Sequence, residues 1–148
     1  MTGTTNDGIV IDRDFAAAPQ KVFAAWTKPE HFARWFGGKD VQVPQDGLDF
    51  IAEPGREWSA QMVLPSGDTI DWAGEFLEVT PDSRLELTIT DKPAEPGRSK
   101  IVVELTAVDG GTRMHFTQET PGFSPEQQAE VLAGWQGFMD ELEQIATA

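Results

Sequence analysis

Hydrophobic and polar positions alternate with a period of two from Ile9 to Phe15, with Ile9, Ile11 and Phe15 on one side and Val10, Asp12 and Asp14 on the other. Side chains of an extended chain point alternately to its two faces, so the pattern predicts a half-buried strand over 9–15. The period then lengthens. Pro19 stands where the first turn of a helix tolerates a missing N–H, and Val22, Phe23 and Trp26 follow on one helical face. Pro29 repeats the device ahead of Phe32, Trp35 and Phe36, and Gly37 is placed to end the segment, so two short helices follow the first strand.

Between residues 39 and 119 the two-residue period returns in short runs. It predicts strands near 39–44, 57–64, 68–79, 83–90, 99–108 and 112–119, with a further extended piece near 48–52. The turns Pro65-Ser66-Gly67-Asp68, Pro81-Asp82-Ser83 and Asp109-Gly110-Gly111 are too short for a crossover, so the strands they join are antiparallel. The last 25 or so residues carry the 3.6-residue period of a helix. Its start is marked four times over: Ser124 as N-cap, Pro125 at the first helical position, Glu126 beside the positive end of the dipole and Gln127 at the third position of a capping box. Val131, Trp135, Phe138, Leu142 and Ile145 form its apolar stripe, with Leu132 and Met139 on the flank.

The only large apolar surface open to that helix is one face of the sheet. The elements therefore predict an α+β fold: a curved antiparallel sheet of six to seven strands gripping a long C-terminal helix, with two short helices after the first strand. Residues 9–148 read as one domain behind a flexible N-terminus, 1–8, because the chain has no internal repeat and no linker-like tract.

Composition narrows the function. At 148 residues the chain is long enough to bury a real core unaided. It contains no cysteine, which removes thiolate chemistry, disulfides and cysteine-bound metals. With 11 Lys+Arg against 25 Asp+Glu, the formal charge of −14 should repel phosphate backbones and anionic headgroups, so neither nucleic acid nor a membrane is expected as a partner. No apolar run reaches the ~20 residues that span a bilayer, and the first residues lack the basic and apolar stretches of a signal peptide, which points to a cytoplasmic location. No metal-ligand spacing, nucleotide-binding glycine loop or Gly-x-Ser-x-Gly elbow is present, so neither cofactor nor metal is expected.

Four segments in order carry a family resemblance: APQKVFAAWTKPEHFARWFG at 18–37, GEFLEVTPDSRLELT at 74–88, GGTRMHFTQETPGF at 110–123 and GWQGFMDEL at 134–142. Together they resemble the AHSA-type (activator of heat-shock-protein ATPase homologue) members of the START/SRPBCC superfamily. The resemblance implies the helix-grip fold and a cavity between the concave sheet face and the last helix, where related domains hold sterols, lipids, polyketides or other apolar molecules. It implies no particular ligand.

Five Trp, nine Phe and no Tyr leave the rings without a hydroxyl for proton delivery, which favours packing or apolar binding. Trp26, Trp35, Phe36, Trp58, Trp72, Phe76, Phe116, Trp135 and Phe138 lie on elements facing the interior. Any one of them could simply fill the core. Five indole N–H groups are nevertheless easier to satisfy around a partly wet or occupied cavity than in a dry interior. Strand alternation adds Met62, Leu87, Met114 and Gln118 to the inward set. Gln118 must satisfy a primary amide on an apolar face, from backbone, water or ligand. Glu78 falls on the side of Trp72 and Phe76, with exposure at a strand end as the alternative. His31 and His115 are both expected at the surface. Gly134 costs about 1 kcal/mol inside a helix relative to Ala, and its missing side chain would let the helix approach the sheet or leave room beside Trp135.

The expected ligand-binding set is therefore Trp35, Phe36, Trp58, Met62, Trp72, Phe76, Glu78, Leu87, Met114, Phe116, Gln118, Trp135 and Phe138, with no catalytic residue assigned. Three functions compete. The first is binding of a small hydrophobic molecule. The second is a cyclase- or aromatase-like enzyme using Glu78, Gln118 or His115. The third is a co-chaperone that stimulates a heat-shock-protein ATPase through its surface. The chain could act as a monomer or a homodimer, because sheet edges can pair across a two-fold axis.

Overall fold

The computed structural model describes residues 2–5 and 7–148. In chain order the elements are β1 (Gly3–Thr4), β2 (Gly8–Phe15), α1 (Pro19–Thr27), α2 (Pro29–Trp35), a 3-10 turn at Gln45–Gly47, β3 (Glu57–Val63), β4 (Thr69–Thr80), β5 (Arg84–Ile89), β6 (Ser99–Val108), β7 (Gly111–Glu119) and α3 (Pro125–Ala146). Among the described residues the strands form one antiparallel sheet in the order β1-β2-β7-β6-β5-β4-β3. One face is buried under the helices, so the α+β helix-grip arrangement expected from the elements is the one observed.

The alternation along each strand puts one apolar row on the concave face. Trp58, Ala60 and Met62, then Leu85, Leu87 and Ile89, then Ile101, Val103 and Leu105, then Met114, Phe116 and Gln118 are all buried. The capping box of α3 forms as its sequence dictates: Gln127 N–H donates to Ser124 Oγ at 3.2 Å, and Ser124 N–H donates to Gln127 Oε1 at 2.8 Å. The buried stripe of α3 is rotated from the expected one. Trp135, Met139, Leu142 and Ala146 form its centre, and Val131, Leu132, Phe138 and Ile145 are half-buried flanks. Trp135 and Leu142 belong to both stripes, while Met139 and Ala146 replace Phe138 and Ile145 because α3 packs against α1 and α2 as well as against β2.

The strand expected over 39–44 does not form. Gly37 and Gly38 both lie in the left-handed region (φ 95° and 87°) and swing the chain away from α2, and Pro44 has no N–H to give a ladder. What survives is a single bridge, Gln42 to Val63, followed by a second bridge from Asp49, in the extended piece near 48–52, to Ser59. These two contacts lie along the free side of β3 and cover an edge that would otherwise offer unpaired backbone groups. At the opposite edge, where a flexible N-terminus was expected, Gly3 and Thr4 pair with Val10 and Ile9 of β2.

Two sets of side-chain hydrogen bonds tie α3 to the rest of the fold. The buried Gln128 side chain donates to Thr120 Oγ1 at 3.0 Å and to Thr5 O at 3.2 Å near the start of the helix. Arg13 of β2 bonds Asp140 at 2.8 Å and Glu143 at 3.0 Å further along it. The helix is thereby held at two places about three to four turns apart.

Candidate functional site

The interior divides into two parts. Under α1 and α2 it is filled by rings: Trp26 meets Trp35 edge to face at 4.9 Å, Phe32 stacks on Phe50 at 4.0 Å, and Phe50 meets Phe76 at 5.2 Å and Trp58 at 5.6 Å. Beside the first half of α3 a cleft of about 830 Å³ opens to the surface. Phe36 follows the last turn of α2, Trp72 stands on β4 and Ile89 ends β5. Val131, Trp135 and Phe138 come from α3, and the floor is Gln118 of β7. The segment 90–99 between β5 and β6 forms the rim opposite the helix, with Thr90, Lys92, Arg98 and Ser99 lining it.

Gly134 lines this cleft, and a Cβ built on it would meet nothing within 4 Å. Of the two roles open to this glycine, the geometry fits the one that leaves space beside Trp135 rather than the one that draws helix and sheet together. Gly137 is equally uncrowded but does not line the cleft.

The indole N–H groups find different partners. Trp35 donates to Ala25 O at 2.7 Å and Trp58 to Thr88 O at 3.0 Å, both backbone carbonyls. Trp135 donates to the side-chain oxygen of Gln118 at 2.6 Å. Trp26 and Trp72 have buried N–H groups without a hydrogen-bond acceptor among the described residues, and each makes a T-shaped contact with a neighbouring ring. Gln118 is in the inward row because it follows Met114 and Phe116 at two-residue steps, and its neighbours across the ladder are the buried Ile9 and Ile101. Trp135 supplies the partner that its amide needs there.

Of the residues expected to bind ligand, Phe36, Trp72, Gln118, Trp135 and Phe138 lie on the cleft. Trp35, Trp58, Met62, Phe76, Leu87, Met114 and Phe116 are buried in the packed part, none more than 3 % exposed. Glu78 lies elsewhere. A bulge between Phe76 and Glu78 shifts the register of β4 against β5, pairing Glu78 with Glu86 on the outer face and Val79 with the inward Leu85. There Glu78 accepts from Thr80 Oγ1 at 2.8 Å and from Arg84 at 3.3 Å. His115 points outward and pairs with Asp12, as alternation requires. His31 is half-buried rather than exposed, with no hydrogen bond to its Nδ1 among the described residues, and does not line the cleft.

Periodicity along strands and helices could not point to the rim segment 90–99 or to Phe123, which also borders the cleft. The visible signal was the length of that connection: nine residues rich in Pro, Gly and charge between two strands, where the other strand-to-strand turns from β3 to β7 need five or fewer. The rim is polar, but Arg98 is committed to its own loop, donating to the carbonyls of Glu95 and Gly97. Among the described residues no three His, Asp or Glu side chains gather in a way that could hold a metal ion. No helix there is long and apolar enough to cross a membrane.

A bent antiparallel sheet closed on a C-terminal helix, with a cleft between them, defines a helix-grip protein of the START/SRPBCC superfamily. Within it, residues 16–147 match the family described as Activator of Hsp90 ATPase homolog 1-like protein, and the chain belongs to that family. Similar folds include a crystal structure of a Chromobacterium violaceum protein (21% identity, covering 97% of this chain and 99% of that one, TM-score 0.85). An AHSA1 protein from Silicibacter pomeroyi is 22% identical over 91% of this chain and 94% of its own, with TM-score 0.80. A Nitrosomonas europaea protein is 26% identical over 93% and 92%, with TM-score 0.78. No curated protein matches the sequence.

Proposed function

We propose that the protein binds a small, largely apolar molecule in the cleft between α3 and the concave face of the sheet. One observation carries this reading: about 830 Å³ of space bordered by Phe36, Trp72, Ile89, Val131, Trp135 and Phe138, with a polar rim at 90–99. Trp72, Val131 and Phe138 are half-buried beside this space, and a ligand would remove their remaining apolar surface from water, at roughly 25 cal/mol per Å². The size suits a ligand of a few fused rings or a folded chain.

Nothing favours catalysis over binding. Two of the three candidate acid-base residues, Glu78 and His115, are on the outer face and paired there, and the amide of Gln118 does not exchange protons near neutral pH. The co-chaperone role in the family's description would rest on a surface contact, whereas this reading rests on the interior. It expects the ATPase rate of an Hsp90-type chaperone to be unchanged by the protein. The −14 charge keeps nucleic acid and anionic membranes out of the proposed partner set.

Titration with Nile red, a neutral dye whose emission shifts to the blue in apolar surroundings, tests the proposal. Saturable blue-shifted emission that is lost in a Gly134→Trp variant supports it. No shift, together with no co-purifying small molecule in native mass spectrometry, overturns it.

A further inference from the structure

The cleft floor carries one amide whose orientation is set by its neighbour. Trp135 Nε1 can only donate, so the Gln118 atom facing it at 2.6 Å must be the oxygen, whichever way an amide would otherwise be drawn. The NH2 group is thereby turned the other way. Nε2 makes no hydrogen bond among the described residues, yet it is not one of the fully buried unpartnered atoms, so it keeps accessible surface on a residue that lines the cleft. Flanked by Ile9 and Ile101 and only 8 % exposed, this donor sits where a hydrogen bond is poorly contested by water.

We infer that Gln118, locked by the indole of Trp135, selects apolar ligands that carry a hydrogen-bond acceptor, such as an aryl or alkyl ketone, aldehyde or ester carbonyl, over pure hydrocarbons and over ligands that can only donate. The inference rests on the cleft being a binding site and adds the chemistry that the ligand must present at its deep end. A ligand bearing only an N–H would face the amide's own N–H groups and leave both donors unsatisfied, and an unsatisfied buried donor is the costlier outcome. A hydrocarbon would fit but leave Nε2 dry. The apolar walls contribute affinity to all three classes alike, and the polar rim of Thr90, Lys92, Arg98 and Ser99 is unchanged in Gln118→Met, so that variant isolates the share of the discrimination that belongs to Gln118. Rotation of the amide would invert the preference, and the Trp135 hydrogen bond opposes that rotation.

Equilibrium dialysis with three compounds of nearly equal shape tests this: 2-acetylnaphthalene (acceptor), 2-ethylnaphthalene (neither) and 2-ethylindole (donor only). Each affinity is corrected for the compound's own transfer from water to alkane. The wild-type protein is expected to prefer the ketone over the hydrocarbon on the order of tenfold, with the indole weakest. Gln118→Met should bind ketone and hydrocarbon equally. Trp135→Phe removes the lock and lets the amide turn its oxygen to the cleft, so binding of 2-ethylindole should rise relative to the hydrocarbon. A merely structural role for the pair would not produce that gain. Circular dichroism verifies the fold of both variants, and should Gln118→Met fail to fold, the wild-type ratios and Trp135→Phe decide. Equal corrected affinities in the wild type, or a ketone preference that persists in Gln118→Met, overturn the inference and leave the cleft reading standing. Failure of all three compounds to bind overturns both.

Discussion

The two parts of the interior are built from the same kinds of side chain and do opposite things. Under α1 and α2, Trp26, Trp35, Phe32 and Phe50 are each 2 % exposed or less and their ring centres lie 4.0 to 5.1 Å apart in contacting pairs. Beside the first half of α3, Trp72 and Phe138 are half-buried and face open space. Hydrophobicity does not distinguish the two. The difference is whether a second element approaches from the other side: α1 and α2 cover the packed part, whereas the cleft is bordered by a Gly-containing turn of α3, the polar segment 90–99, Phe36 and Phe123. An aromatic residue is core where elements converge and lining where they part.

Substitution on either side of that divide gives the largest expected contrast. Phe116→Ala or Trp26→Ala in the packed part should lower stability by about 3–5 kcal/mol, the range for emptying a filled ring site, as read from urea unfolding. Phe138→Ala should cost about 1–2 kcal/mol, since its ring is already half exposed, yet weaken Nile red binding markedly. Comparable stability losses at both sites would erase the distinction between core and lining.

A smaller effect separates two glycines on one helix. Gly134→Ala and Gly137→Ala should each stabilise α3 by up to about 1 kcal/mol, because neither new methyl group meets an obstacle. Only Gly134→Ala should weaken dye binding, because only Gly134 borders the cleft. Equal affinities in the two variants would mean that the dye sits elsewhere.

The smallest effect lies on the outer face and should leave both interior regions alone. Hydrogen bonds from Lys100 and Arg84 hold the Glu86 carboxyl below its ordinary value of 4.5. A carboxylate depressed in the folded state adds stability that is present above its unfolded pKa and is lost as pH falls through the folded value. Urea midpoints measured from about pH 6 to about pH 3 should therefore decline less steeply in Glu86→Gln. Dye affinity at neutral pH should match the wild type, and a loss there would tie the outer ion pairs to the cleft.

Much of this molecule is legible in the order of its residues. Period-two runs found β2 and five of the later strands, the Ser124–Gln127 box marked the start of α3 to the residue, and every side chain assigned inward by alternation on β3, β5, β6 and β7 is buried. Local patterns report what local geometry dictates: alternation, capping and turn chemistry act over a few residues. They misled where backbone constraints outweigh side-chain period, as at 39–44 after Gly37 and Gly38, and where a bulge resets the register, as at Glu78.

By itself the sequence determined the element order, the antiparallel sheet, the grip on the terminal helix and the identity of the inward row, because each follows from the preferences of short segments and the need to cover apolar faces. Only the tertiary structure decided which inward rings are filled against and which are left facing a cleft, and that Gln118 meets Trp135. Those outcomes depend on how far apart elements come to rest across the fold, and on contacts such as Gln128 to Thr120 and Arg13 to Glu143, which join residues that no local pattern connects.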